Sequence, residues 1–336
     1  MKLGLKIILL FRNNSVSLFQ QTHKEMFAEF KTLPQLFDFF KDEETCLTYW
    51  ENVRWNGNAT CPHCESVEAY KTNRGYKCKN IECQKKFTAI VGTIFENTKM
   101  PLRTWFGAMY LCANHKKGIS SLHLGPDLGI HQSSAWFLLH RIRETMKEVA
   151  PEVLGGEGVV VESDTTVVGG KVKNMSNKKR AAILKDKEKR NDNKTHVAAY
   201  VERSGKIRFD VIDAGENEKD LLKKHVDTTS VLMTDNANTY KQVGKEYAHH
   251  GVVDHTKNEY CRDGIYHTNT IEGAFSHFDR MVIGTYHNIS RKHMQAYANE
   301  SAYRYNTRKE NITARFEDTV LKCSGVRLTY NTLIAK

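Results

Sequence analysis

Long apolar runs are missing from this sequence. The nearest approach, MKLGLKIILLF at residues 1–11, is short, is broken by Lys6 and leads into FRNNSVSLFQQ with no small-x-small cleavage site. Neither a membrane span nor a secretory signal is read there, so the expectation is a cytoplasmic protein without a membrane partner. Met26 opens a more ordinary start, MFAEFKTLPQLFDFF, and residues 1–25 read as an upstream extension. Low-complexity tracts are missing too. A composition of 40% hydrophobic and 26% charged residues over 336 positions is that of globular domains with their own cores. Acidic residues are scarce relative to basic ones: 39 Asp and Glu face 50 Lys and Arg, a formal +11. That imbalance favours a polyanionic partner, nucleic acid first. The excess is concentrated between Lys171 and Lys194, where ten basic residues meet three acidic ones. Such a stretch reads as a solvated, mobile loop that grips phosphates, with Lys178, Lys179 and Arg180 as candidate DNA contacts.

Eight cysteines in an intracellular chain point to metal rather than disulfides. Cys46, Cys112, Cys261 and Cys323 are scattered and read as small buried hydrophobes. The other four form CPHCESVEAYKTNRGYKCKNIEC, which sets Cys61, Cys64, Cys78 and Cys83 in a C-x2-C-x13-C-x4-C pattern. Each close pair can turn two thiolates toward one tetrahedral ion, and AYKTNRGYKC between them predicts a hairpin turning at Asn73-Arg74-Gly75. A module this small buries too little to fold alone, so Zn²⁺ would supply folding free energy. Four thiolates leave no open position for water, which makes the expected zinc structural.

Pro101 stands at the first position of a predicted helix carrying Leu102, Trp105, Phe106, Met109 and Tyr110 at helical spacing. ISSLHLGPDLGIHQSSAWFLLHRIRETMKEV then has the layout of a helix-turn-helix. A short helix, curtailed by Pro126, ends near Leu128; Gly129 turns; a longer helix starts near Gln132. Its apolar positions Ala135, Leu139, Ile142 and Met146 would face inward, leaving His140, Arg141 and Arg143 toward a groove or backbone. A plain helical pair between domains is the competing reading.

The second half of the chain changes character. GVVVESD is a β-branched run ending in Asp164, THVAAYVERSGKIRFDVID predicts two strands joined at Ser204-Gly205, NEKDLLKKHV a helix, and VLMTD a strand ending in Asp235. This succession predicts a mixed sheet flanked by helices, an α/β fold. A carboxylate at the end of a buried strand is unfavourable unless paired or bound to a cation. If the two strands are neighbours, Asp164 and Asp235 converge. HTNTIEGAFSHFDR predicts an amphipathic helix with Ile271, Phe275 and Phe278 in one stripe, and Glu272 beside that stripe can complete a three-carboxylate pocket. Three acids held together suit hard divalent cations, Mg²⁺ or Mn²⁺, which serve phosphodiester chemistry. Three unrelated surface acids are the bland alternative.

In order and motif the chain resembles the DDE transposases of bacterial insertion sequences. Within them it is similar to the ISXO-like group that carries an N-terminal zinc ribbon and is related to the eukaryotic Merlin transposons. The likeness lies in CPHC, YKC and GTIFE, in KGISSLHLGPDLGI and AWFLLHRIR, in ESDTTVVGGK, in TDNANTY, and in HTNTIEGAFS, IGTYHNISRKHMQAY and YRYN. The resemblance implies a ribonuclease H-like catalytic core in which Asp164, Asp235 and Glu272 are the catalytic, magnesium-binding residues. Asn269 is implied as a supporting residue or alternative third ligand. It also implies cleavage and strand transfer at double-stranded DNA, both terminal inverted repeats and target, by a nucleoid-associated homodimer or larger complex. The implied division is an extension with a short helix over 1–45, a zinc ribbon over 46–97 and a helix-turn-helix over 98–150. A catalytic domain over 156–310, with its basic insertion at 171–194, and a tail over 311–336 complete it. Two positions depart from the family pattern: Thr165 where an acid usually follows the first aspartate, and Asp279 where a base is usual, with Arg280 adjacent as a substitute. A catalytically decayed DNA-binding regulator and a nuclease without strand joining are the alternatives, and the former gives no reason for all three acids to remain.

Overall fold

The computed structural model describes residues 30–169, 175–185, 194–213, 215–253 and 265–335. Cys261 and parts of the 171–194 segment lie outside the described residues.

The first half is built of helices around an aromatic core. Helix α1 (Leu33–Phe39) starts at Thr32, whose hydroxyl accepts the Gln35 N–H, and α2 (Glu43–Trp55) starts at Asp42, which accepts the Thr45 N–H. Three short strands follow, β1 (Ala69–Thr72), β2 (Gly75–Cys78) and β3 (Lys86–Phe87), antiparallel in the order β1-β2-β3. The first hairpin pairs Thr72 with Gly75, so its turn is the expected one. Gly75 is needed there: its φ is +120°, and a Cβ would stand 2.6 Å from the Phe87 carbonyl.

Helix α3 (Leu102–Asn114) is buried around nearly its whole circumference, as its continuous apolar sequence requires. Glu43 in α2 caps it, accepting the Leu102 N–H at 2.8 Å. Next come α4 (Ser121–Leu128), a left-handed Gly129, and α5 (Gln132–Thr145), the boundaries the sequence predicts.

The second half holds a five-stranded mixed sheet, β6-β5-β4-β7-β8. Strands β4 (Val160–Val168), β5 (Thr195–Glu202) and β6 (Ile207–Ile212) are antiparallel, while β7 (Val231–Asp235) and β8 (His249–Val253) run parallel to β4. Between β4 and β5 lies α6 (Asn177–Lys185), where a loop was expected. Helices α7 (Glu218–His225) and α8 (Asn238–Val243) cover one face of the sheet through Leu221, Leu222, Tyr240 and Val243. Helices α9 (Asn269–Met281) and α10 (Arg291–Asn306) cover the other through Ile271, Phe275, Phe278, Met294 and Tyr297. A π-helical turn, Val282–Tyr286, joins those two helices.

Residues 311–336, expected as a tail, instead return to the first half. Helix α11 (Ile312–Leu321) inserts Phe316 and Val320 into the core formed by Phe30, Phe40, Tyr49 and Phe106, and α12 (Tyr330–Ile334) follows. The physical reason is in its sequence: ITARFEDTVL has an apolar stripe that must be covered, and the open side of α3 covers it.

Candidate active site and zinc centre

The small sheet exists to hold four sulfurs. Cys61 and Cys64 lie on the loop before β1, Cys78 ends β2, and Cys83 lies on the loop before β3, and their Sγ atoms all lie within 4.8 Å of one another. Cys61 to Cys83 is 3.8 Å and Cys64 to Cys78 is 3.5 Å. Burial alone would push the Cys61 thiol up, but backbone N–H groups of His63 and Cys64 aimed at its sulfur leave it lowered. The donor set is four soft sulfurs close enough to share one ion, with N–H donors already aimed at Cys61, which fits Zn²⁺. Beneath the cluster, Trp55 of α2 packs edge-on against Tyr76 and Phe87, fastening the ribbon to the helical body.

The acidic residues meet across the large sheet. The parallel ladder between β4 and β7 runs to Ser163 beside Thr234, so the next step sets Asp164 beside Asp235. Asp164 is in the middle of β4 rather than at its end, because β4 continues to Val168 against β5. Its carboxyl is pushed up to about 6, by burial first and then by the negative charges of Asp235, Glu218 and Glu272, against the lowering effect of the Thr165 N–H. Those charges show that α9 brings Glu272 within electrostatic reach of Asp164. Glu272 accepts a hydrogen bond from the Thr268 hydroxyl at 3.1 Å, and Asp235 accepts the Ala237 N–H at 3.1 Å. The three carboxylates do not close to within 4.8 Å of one another as the four sulfurs do; among the described residues only the cysteines form so tight a group. Asn269 opens α9 and is exposed.

Glu218 was not foreseen. It stands in the first turn of α7 and accepts hydrogen bonds from the hydroxyls of Thr165 and Tyr240, bringing a fourth acid to the rim of the site. In sequence it looks like an ordinary first-turn glutamate, and only its distant partners distinguish it.

Two family models match the chain. The transposase zinc-ribbon domain covers residues 41–86, and the ISXO2-like transposase domain covers residues 153–306. The chain thus carries an ISXO2-like transposase domain preceded by a transposase zinc ribbon. An uncharacterized protein in transposable element ISH50 of Halobacterium salinarum is 34% identical over 76 residues, which is 21% of this chain and 25% of that protein. The chain therefore matches about a quarter of that relative's length. No solved structure matches. Among the described residues no helix is long and apolar enough to cross a membrane.

The DNA contacts expected on α5 need correction. Ala135, Leu139, Ile142 and Met146 are buried as expected, but so are Arg141 and Arg143. Arg141 donates to the Glu96 carbonyl at 2.8 Å and lies over Trp105. Arg143 donates to Glu300 of α10 at 2.6 Å and lies over the Tyr297 ring. His140 is enclosed by Trp136, His293 and Tyr297, and its burial lowers it to about 3. Helix α5 is thus covered along most of its length, and only His131, Gln132, Ser133 and Ser134 at its start are exposed. Lys178 and Arg180 are exposed on α6; the Lys179 side chain lies outside the described residues. Asp279 and Arg280 are exposed near the far end of α9, where the Arg280 Nε donates to the Ser276 carbonyl.

Proposed function

We propose that this protein is a DNA transposase that binds the terminal inverted repeats of its element, cuts the strand end and joins the freed 3′-hydroxyl to target DNA. The observation that carries the reading is Asp164 in register beside Asp235, with Glu272 of the ISXO2-like domain acting on Asp164 by charge. A central strand flanked by an antiparallel hairpin on one side and two parallel strands on the other supports a ribonuclease H-like core. Hard carboxylate oxygens crowded enough to raise the Asp164 carboxyl's affinity for protons suit a divalent cation, Mg²⁺ or Mn²⁺. Bound there, such ions would supply positive charge at the attacking and leaving oxygens of a phosphodiester. Asp164, Asp235 and Glu272 hold that charge in place, and Glu218 deepens the negative field that attracts it. The exposed first turn of α5 is the base-reading candidate, since helix starts reach base edges in helix-turn-helix proteins. The phosphate grip is the basic run Lys178, Lys179 and Arg180, of which Lys178 and Arg180 are exposed on α6.

The test is cleavage of a duplex carrying the sequences that flank the reading frame, with Mg²⁺. Asp164→Asn, Asp235→Asn and Glu272→Gln are each expected to lower the rate by about a thousandfold or more, with no further loss in pairs, because the groups share the same ions. Duplex binding should stay near wild type. Should Glu272→Gln cut normally while Asn269→Ala does not, Asn269 is the third ligand.

A further inference from the structure

Glu162 is wholly buried in β4, two residues before Asp164. A carboxylate in that position is strongly unfavourable unless charge and hydrogen bonds compensate it. Both oxygens are compensated. Arg203 Nε donates to Oε1 at 2.7 Å, Thr270 Oγ1 donates to Oε1 at 3.0 Å, and the Ile271 N–H donates to Oε2 at 2.9 Å. Arg203, just past β5, uses its remaining two nitrogens on the carbonyls of Ile265 and His267, each at 2.8 Å. Two of the three donors to Glu162, Thr270 and Ile271, are therefore in the first turn of α9, within two residues of Glu272.

The placement decides what this clamp does. Residues 162 and 164 face the same side of β4 because strand side chains alternate. Ile271 and Glu272 are consecutive on α9. One carboxylate thus ties the strand that carries the first acid to the helix turn that carries the third. The apolar stripe Ile271, Phe275 and Phe278 holds α9 on the sheet but grips it without direction, whereas a carboxylate bonded to one chosen N–H fixes its height and rotation.

We propose that Glu162 and Arg203 are a positioning pair that sets the spacing between Glu272 and Asp164, and with it the affinity of the acidic site for divalent cations. This rests on the reading that the three acids hold cations, so the test must separate the two.

The probe is Mn²⁺ alone, titrated into the zinc-loaded full chain, with free Mn²⁺ read by electron paramagnetic resonance. Glu162→Gln should weaken Mn²⁺ binding at least tenfold and speed amide exchange at Ile271 and Glu272. That variant leaves Arg203 uncompensated and can fail to fold, so Glu162→Gln/Arg203→Met removes both charges; replacing both members of a buried pair is often tolerated. The double variant should melt near wild type yet keep the weak Mn²⁺ binding, which a merely stabilising pair would not do. Wild-type Mn²⁺ affinity in the folded double variant overturns the proposal. Should both fail to fold, Arg203→Lys, which keeps the charge and loses the fork to Ile265 and His267, carries the test with the same two outcomes. Glu272→Gln separates the readings. If it loses Mn²⁺ while the clamp variants do not, the positioning inference alone fails; if it binds Mn²⁺ as wild type does, the three-acid reading fails and this inference with it.

Discussion

The Asp164 carboxyl binds its proton more tightly than an ordinary aspartate does. Burial first, and then Asp235, Glu218 and Glu272, move it from 3.8 to about 6. A group that binds protons more tightly folded than unfolded contributes stability at low pH and loses it as pH rises. Its contribution should therefore fall between about pH 4 and 6 and stay low above. Calorimetry without Mg²⁺ should show wild type losing stability across that window relative to Asp164→Asn. Added Mg²⁺ should restore the wild type at pH 7 and leave the variant unmoved. Parallel pH curves for the two proteins would count against the shift. At this scale the sequence was informative where chemistry is unusual, as with aspartates ending β-branched runs and thiols at metal spacing. It misled at Arg141 and Arg143, whose partners Glu96 and Glu300 are 45 and 157 residues away. No local pattern marks a basic helix face as one that another helix will cover.

Among the elements, the ribbon and α6 make opposite demands. The ribbon's own core is little more than Cys61, Cys78 and Phe87, so the metal must supply most of its stability. Cys78→Ser, or zinc removal, should abolish stoichiometric zinc and unfold residues 61–83 while leaving the near-ultraviolet signal of the large sheet intact. Purified protein without one zinc per chain would defeat this. Helix α6 is a short polar helix on a basic segment, and its value would lie in charge alone. Neutralising Lys178, Lys179, Arg180 and Lys185 should weaken binding to every DNA sequence alike and lower the slope of log affinity against log salt by about 3–4. A loss confined to the repeat sequence would mean that α6 reads bases. The helix itself escaped the sequence reading because a run of lysines resembles a solvated loop. Strand β8 escaped too, since HHGVV at a sheet edge has only two fully buried positions, Gly251 and Val253, to mark it.

On the scale of the whole molecule, the two halves are joined by side chains that belong to neither alone. Glu300 of α10 takes Arg143 from α5 and Arg304 from its own helix, and accepts the Tyr286 hydroxyl at 2.6 Å from the π-helical turn that follows α9. The first half is in turn completed by α11, where Phe316 packs against Phe30, Phe40 and Phe106. Phe316→Ala should cost about 3–5 kcal/mol of the stability of the helical body, read as a lowered denaturant midpoint with DNA binding lost at temperatures where wild type binds. Unchanged binding at that midpoint would show that the body folds without α11. The return of α11 also sets a clock. About 170 residues separate Met146 from Phe316, so at roughly 5–20 residues per second a ribosome needs roughly ten to thirty seconds between finishing the helical half and delivering the side chain that closes it. Translation products that stop inside the second half would carry an open aromatic core. Such fragments should be cleared by proteolysis rather than persist beside the full-length protein, so that the last helix to be made acts as a seal of completeness for the first domain to fold.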